Sequence, residues 1–226
     1  MAHKNTPHEV NYQDIVLEQV ASTGIHGWVV QWAENSKLTV KTRNELVPYL
    51  DSELAILRPL NYPPMNPGRG YLLKNNVLIV NLVGRVFMGH VDCPFRAMDQ
   101  LLVQFEHKSI PIIVDFHAEA TSEKVAMGRY LDGRVSAVLG THTHVGTIDA
   151  RILPGGTAHV TDIGMVGPTD SVIGDDPDSV INRFLTQIPS RLSVGKGKVS
   201  FDAILVEVDE KTAKAIAIQR IQKSVY

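Results

Sequence analysis

Three short apolar runs, at residues 77–83, 111–114 and 135–139, do most to limit what this chain folds into. Each is too short to be a free-standing helix and reads as a buried strand. Between them lie two helical stretches, the first amphipathic. Residues 94–106 carry Phe95, Met98, Leu101, Leu102 and Phe105 at helical spacing, and residues 122–131 read as a helix capped by Thr121 or Ser122. Strand, helix, strand, helix, strand argues for an α/β fold with helices laid over a sheet. Two extended runs flank Pro154-Gly155-Gly156 within 152–163, and 179–187 reads as a helix. Residues 200–208 and 215–221 form a hairpin pattern across the 209–214 turn, which adds antiparallel strands and makes the expected sheet mixed.

The first part of the chain is less patterned. Residues 1–11 show no periodicity, 12–21 and 42–50 read as short helices, and 28–33 as a β-type run before Glu34 and Asn35. Residues 58–71 hold Pro59, Pro63, Pro64, Pro67, Gly68 and Gly70 and read as a loop inside one domain. With 226 residues, 44% of them hydrophobic, the chain can bury a sizeable core. A net charge of -2 with no basic block argues against bulk nucleic-acid binding. Cys93 is the single cysteine, so no internal disulfide forms. No apolar run approaches the roughly 20 residues of a membrane span. The polar opening has no signal pattern, and a cytoplasmic protein is the expectation.

Chemistry concentrates after two of the apolar runs. His117 follows the run ending at Val114, and His142 and His144 follow the run ending at Leu139. Ligands of open α/β sheets sit beyond the carboxyl ends of strands, and adjacent strands would bring all three histidines to one edge. Neutral imidazole binds zinc, iron, manganese or nickel. In an ideal strand the two rings of His-Thr-His point the same way and share one metal. In a turn they fan out, the geometry that serves two metals. His90 and His159 carry no such pattern. Phosphate loops of the Walker type and nucleophile-elbow patterns are absent.

The phrases Asp115-Phe116-His117-Ala118-Glu119-Ala120-Thr121-Ser122-Glu123-Lys124 and Gly140-Thr141-His142-Thr143-His144-Val145 closely resemble the YmdB-like metallophosphoesterases, a branch of the calcineurin-like superfamily. Leu57-Arg58-Pro59, Asn61-Tyr62-Pro63, Asn81-Leu82-Val83-Gly84-Arg85 and Thr161-Asp162-Ile163-Gly164-Met165 also fit, so the resemblance runs from about Leu57 to the C-terminus. It implies a four-layer α/β/β/α sandwich and hydrolysis of phosphodiesters, with 2′,3′-cyclic nucleotides as substrate class. It also implies two divalent ions (iron, manganese or zinc) holding a hydroxide that attacks phosphorus. On the motif match, His117 and His142 bind one ion and His144 the other.

Residues 1–56 depart from the family pattern, while 57–226 follow it within the same single domain. The family opens on a strand ending in Gly-Asp-x-x-Gly; nothing here matches, and the first family strand is expected to be missing. Glu34 and Asn35 fit the family's Gly-Glu-Asn ligand motif, with Ala33 in place of Gly. The family's Gly-Asn-His motif is absent; Gly24-Ile25-His26-Gly27-Trp28 echoes it faintly and makes His26 a catalytic candidate. The alternative is a catalytically impaired member acting in metal binding, regulation or assembly. A missing central strand exposes sheet edges, so self-association into a homo-oligomer is expected.

Overall fold

The computed structural model of the chain describes residues 56–225. The helices expected at 12–21 and 42–50, the run at 28–33, and His26, Glu34 and Asn35 lie outside the described residues, as does any opening strand. The element order is β1 (Tyr71–Lys74), β2 (Val77–Val83), α1 (Pro94–Val103), β3 (Ile112–His117), α2 (Thr121–Tyr130), β4 (Ala137–Thr141) and β5 (Arg151–Ile152). It continues with β6 (Ala158–Val160), β7 (Val166–Pro168), α3 (Pro177–Thr186), β8 (Val199–Val208) and β9 (Ala215–Val225).

Two sheets result. The larger has the order β1-β2-β3-β4-β6-β5, and the smaller β7-β8-β9. The pairs β2–β3, β3–β4 and β4–β6 are parallel, while β1 and β5 close the edges antiparallel. The larger sheet is therefore mixed, with the parallel centre that the strand-helix alternation predicts.

Side-chain alternation assigns each face. Leu78, Val80 and Leu82 of β2, Val114 and Phe116 of β3 and Val138 of β4 pack with Met98 and Leu101 of α1 and Met127 of α2. The opposite face packs Ala137, Leu139, Ala158 and Val160 against Ile204, Val206 and Ile218 of the second sheet. Among the described residues the layers thus run helices, large sheet, small sheet. Ile113 belongs to the inter-sheet cluster, so the period of two puts Asp115 and His117 on that same face.

Several details differ from the sequence expectation. β3 does not stop at Val114 but continues through His117, because its backbone pairs on both sides, with β2 and with β4. β4 begins at Ala137 and runs to Thr141 rather than stopping at Leu139. α1 ends at Val103, short of Glu106. α2 is entered from Ala120 with no side-chain cap, so neither Thr121 nor Ser122 plays that part. β1 follows the Pro/Gly loop directly, and β7 is three residues long; neither shows a usable pattern in the sequence.

The Pro/Gly loop is anchored rather than loose. Asn61 is buried; its Nδ2 donates to the carbonyls of Val83 (2.8 Å) and Asp92 (2.9 Å), and its Oδ1 accepts from Val83 N (3.0 Å). Asn61→Ala strands these groups away from water. The expected loss is about 2–3 kcal/mol, read from urea melts; an unchanged midpoint would count against the latch.

α3 buries only Val180 of its ten residues. Ile181, Phe184 and Leu185 lie along its exposed side at spacings of three and four, and Ile188, beyond the left-handed Gln187 that ends the helix, is exposed as well. No helix among the described residues is long and apolar enough to cross a membrane.

Candidate metal centre

The register of the parallel strands assembles the centre. Asn81 pairs with Asp115, and His117 lies between Val83 and Thr141. All point toward the second sheet, so neighbouring side chains meet across the strands. Asn81 Nδ2 donates to Asp115 Oδ2 at 2.8 Å, and the Thr141 hydroxyl donates to Asp115 Oδ1 at 3.3 Å. Thr141 Oγ1 lies 3.2 Å from His117 Nδ1, and His117 Nε2 lies 3.2 Å from His142 Nδ1. The two rings meet edge-on, with centroids 5.0 Å apart. Burial pushes the Asp115 carboxyl up to about 6, opposed by the hydrogen bonds from Asn81 and Thr141 and reinforced by the charge of Asp162.

Beyond Thr141 the chain leaves the strand sharply. His142 has φ 133° and His144 φ 62°, both in a region non-glycine residues rarely adopt. Such strain persists only where surroundings impose it. Here Asp162 does much of that. Its carboxylate accepts from Thr143 N (2.8 Å), Gly164 N (3.0 Å) and Lys124 Nζ (3.2 Å). Lys124 and Asp162 are both fully buried. Arg220 of β9 adds a tie from the second sheet, donating to the carbonyls of Thr147 (3.0 Å) and Ile163 (2.7 Å). Gly140 permits the approach: a Cβ there would collide with the carbonyl of Thr161 and meet the Lys124 side chain.

The turn separates the two histidines of His-Thr-His. His142 joins His117, whereas His144 Nδ1 donates to the carbonyl of Ile173 at 2.7 Å. The fanned geometry is the one observed. Among the described residues no group of three or more His, Cys, Asp or Glu comes together as a metal site. The His117–His142 pair nonetheless fits one ion. Tetrahedral ligands at about 2.05 Å sit about 3.3 Å apart, which the 3.2 Å between the two ring nitrogens matches closely.

Around this pair lie residues that the motif reading did not single out: Asn81, Asp115, Thr141, Lys124, Asp162 and Arg220. Two of them carried a signal. Asp115 and Thr141 are polar residues at the ends of apolar strands, on the face that His117 shares. Glu123 is another. Its carboxylate accepts from the backbone N of Arg85 (3.0 Å) and Val86 (3.2 Å), fixing the loop after β2, while Gly84 N donates to the His117 carbonyl at 2.8 Å. This loop borders an open cleft of about 1810 Å³ lined by Asn61, Arg85, Phe87, His90 and Glu123, among others; His117 and His142 are not in its wall. His159 is buried against Val138 and serves the core.

A family model described as YmdB-like protein matches residues 39–221. The chain belongs to the YmdB-like family. The match begins upstream of Leu57, where the motif resemblance starts, and His26, Glu34 and Asn35 precede it. This YmdB-like chain is 44% identical over 183 residues to a 2′,3′-cyclic-nucleotide 2′-phosphodiesterase of Bacillus subtilis (strain 168), a match that covers 79% of this chain and 69% of that protein. A crystal structure of a hypothetical protein from Thermus thermophilus superposes with a TM-score of 0.74 at 43% identity, covering 80% of this chain and 71% of that one. A crystal structure described as a novel phosphatase, from Mycoplasma pneumoniae, gives a TM-score of 0.68 at 36% identity, over 74% of this chain and 63% of that one. The YmdB-like chain thus has the α/β sandwich of these proteins and spans from just under to just over two thirds of their length.

Proposed function

We propose that this chain is a metal-dependent phosphodiesterase that hydrolyses small phosphate esters, with 2′,3′-cyclic nucleotides as its substrate class. The observation that carries the reading is the approach of His117 Nε2 and His142 Nδ1 to 3.2 Å at the carboxyl end of adjacent parallel strands. In this reading the two rings hold one divalent ion, and His144 serves a second. Iron, manganese and zinc all accept imidazole nitrogen. Bound there, such ions supply Lewis-acid polarisation of a phosphoryl oxygen and acidify water. The protein's part is to hold the imidazoles in place: Thr141 steadies His117, and Asp162 steadies the loop that carries His142 and His144. The kinship to a relative named as a cyclic-nucleotide phosphodiesterase supports the substrate class.

A second reading is a binding or assembly protein with reduced or no turnover. It is raised by the departure of residues 1–56 from the family's ligand motifs, with no Gly-Asn-His phrase and Ala33 in place of Gly before Glu34 and Asn35. One experiment separates the two. Purified protein is assayed for metal content and for hydrolysis of bis-p-nitrophenyl phosphate with added manganese. The enzyme reading expects close to two divalent ions per chain, turnover with manganese, and its loss in His117→Ala and His142→Ala. Metal-free protein without manganese-dependent turnover would sink that reading and leave the second. Self-association is part of the same proposal, with the apolar stripe of α3 as the surface available to it; elution as a monomer in dilute size-exclusion chromatography would remove it.

A further inference from the structure

We infer that Thr141 is a positioning residue: its hydroxyl, anchored on Asp115, keeps the proton of His117 on Nδ1 and turns the unprotonated Nε2 toward His142. Donor and acceptor capacity across the strand register fixes where the protons lie. As a carboxylate, Asp115 only accepts. Its Oδ2 takes a proton from Asn81 at 2.8 Å, and its Oδ1 faces Thr141 at 3.3 Å. A hydroxyl has one proton to give, and Asp115 claims it. Toward His117 Nδ1, 3.2 Å away, Thr141 is then left only to accept, so Nδ1 must carry the proton. A neutral imidazole has one N–H, which leaves Nε2, 3.2 Å from His142 Nδ1, unprotonated. The opposite direction would set a hydroxyl oxygen against a carboxylate oxygen with no proton between them.

Backbone geometry makes the device reliable. Asp115 and His117 sit two apart on one face of β3, and Thr141 pairs with His117 on β4. Hydrogen-bonded partners behind a ligating histidine set its tautomer and orientation, and their loss costs about 10–100-fold in metal affinity. That consequence rests on the proposed metal role; the tautomer of His117 does not.

The test reads the tautomer directly, in the full chain labelled with ¹⁵N at histidine, freed of metal by chelation, at pH 8. Long-range ¹H–¹⁵N correlations, assigned with His117→Gln, are expected to show His117 protonated at Nδ1 and unprotonated at Nε2. Asp115→Asn is expected to invert this. Asn81 would donate to the new amide oxygen, the amide NH₂ would turn to Thr141, and the hydroxyl proton would pass to His117 Nδ1, moving the ring proton to Nε2. Thr141→Val, which removes the acceptor at Nδ1, is expected to lower the Nδ1–H population, and Thr141→Ser to restore it. Serine and asparagine keep the local shape, so the comparison survives if the valine variant does not fold. Wild-type His117 protonated at Nε2, or the same tautomer in wild type and Asp115→Asn, would overturn the inference. Zinc titration calorimetry of the same proteins should show affinity about 10–100-fold weaker in Thr141→Val and Asp115→Asn and near wild type in Thr141→Ser. If wild type binds no zinc while the tautomers behave as described, the metal reading fails and the role of Thr141 stands.

Discussion

Lys124→Ala is expected to destabilise the folded chain by about 3–5 kcal/mol, read from the denaturation midpoint. Lys124 and Asp162 are buried together, 3.2 Å apart. Removing the ammonium leaves the carboxylate with two backbone N–H donors, Thr143 and Gly164, and no counter-charge on Lys124's side. A stranded buried charge costs far more than an exposed one. The loss compares with about 5–15 kcal/mol for the whole of a typical domain, so a part of the population should be unfolded at 37 °C. Pairing the change with Asp162→Asn should recover some of the loss, because an amide needs no counter-ion. A loss under about 1 kcal/mol would show that water screens the pair after all.

The second large effect is in the pH dependence of stability, and it concerns Asp115. Its folded-state pKa is raised from 3.8 to about 6, chiefly by burial. Below 3.8 the group is protonated in both states and takes nothing from stability. Between 3.8 and about 6 the folded state binds the extra proton, so stability falls as pH rises, and above 6 the loss is complete. The full shift corresponds to about 3 kcal/mol, a ceiling because Asp115 keeps some solvent contact. Asp115→Asn carries no such titration. In chelator, the variant is expected to gain on wild type as pH goes from 4.5 to 7. A stability difference identical at the two pH values would refute the shift. His159 works with the opposite sign. Burial holds its pKa below 6.5, so its contribution is intact above that value and is lost as pH falls. The variant comparison is needed because the two groups overlap in pH.

Much of this fold can be read from the chain because buried parallel strands announce themselves. Residues 77–83 and the hairpin of β8 and β9 are nearly uninterrupted apolar or alternating runs; β2 and β8 fall within a residue of expectation, while β9 runs four residues past Ile221, to Val225. The end of β3 is harder, since Asp115 and His117 look like loop residues. They are strand residues whose polar side chains share one face, and only the pairing with β2 and β4 reveals it. β7 has three residues and takes its identity from Ser200 and Phe201 across the pair. At the centre, the motifs name His117, His142 and His144, and the structure brings the first two together. Lys124 and Asp162 are 38 residues apart. No local periodicity encodes a pairing over that distance, and a lone lysine in a helix reads as a solvated one.

Arg220 adds an order of events. It lies in β9, yet it grips carbonyls 73 and 57 residues upstream, at Thr147 and Ile163. While the chain is being synthesised, His142 and His144 have emerged long before the strand that clamps their loop. The histidine turn, already held by Asp162, can therefore gain this second tie only after β9 has docked. A nascent chain halted before β9 would carry every histidine of the centre without this restraint on their turn.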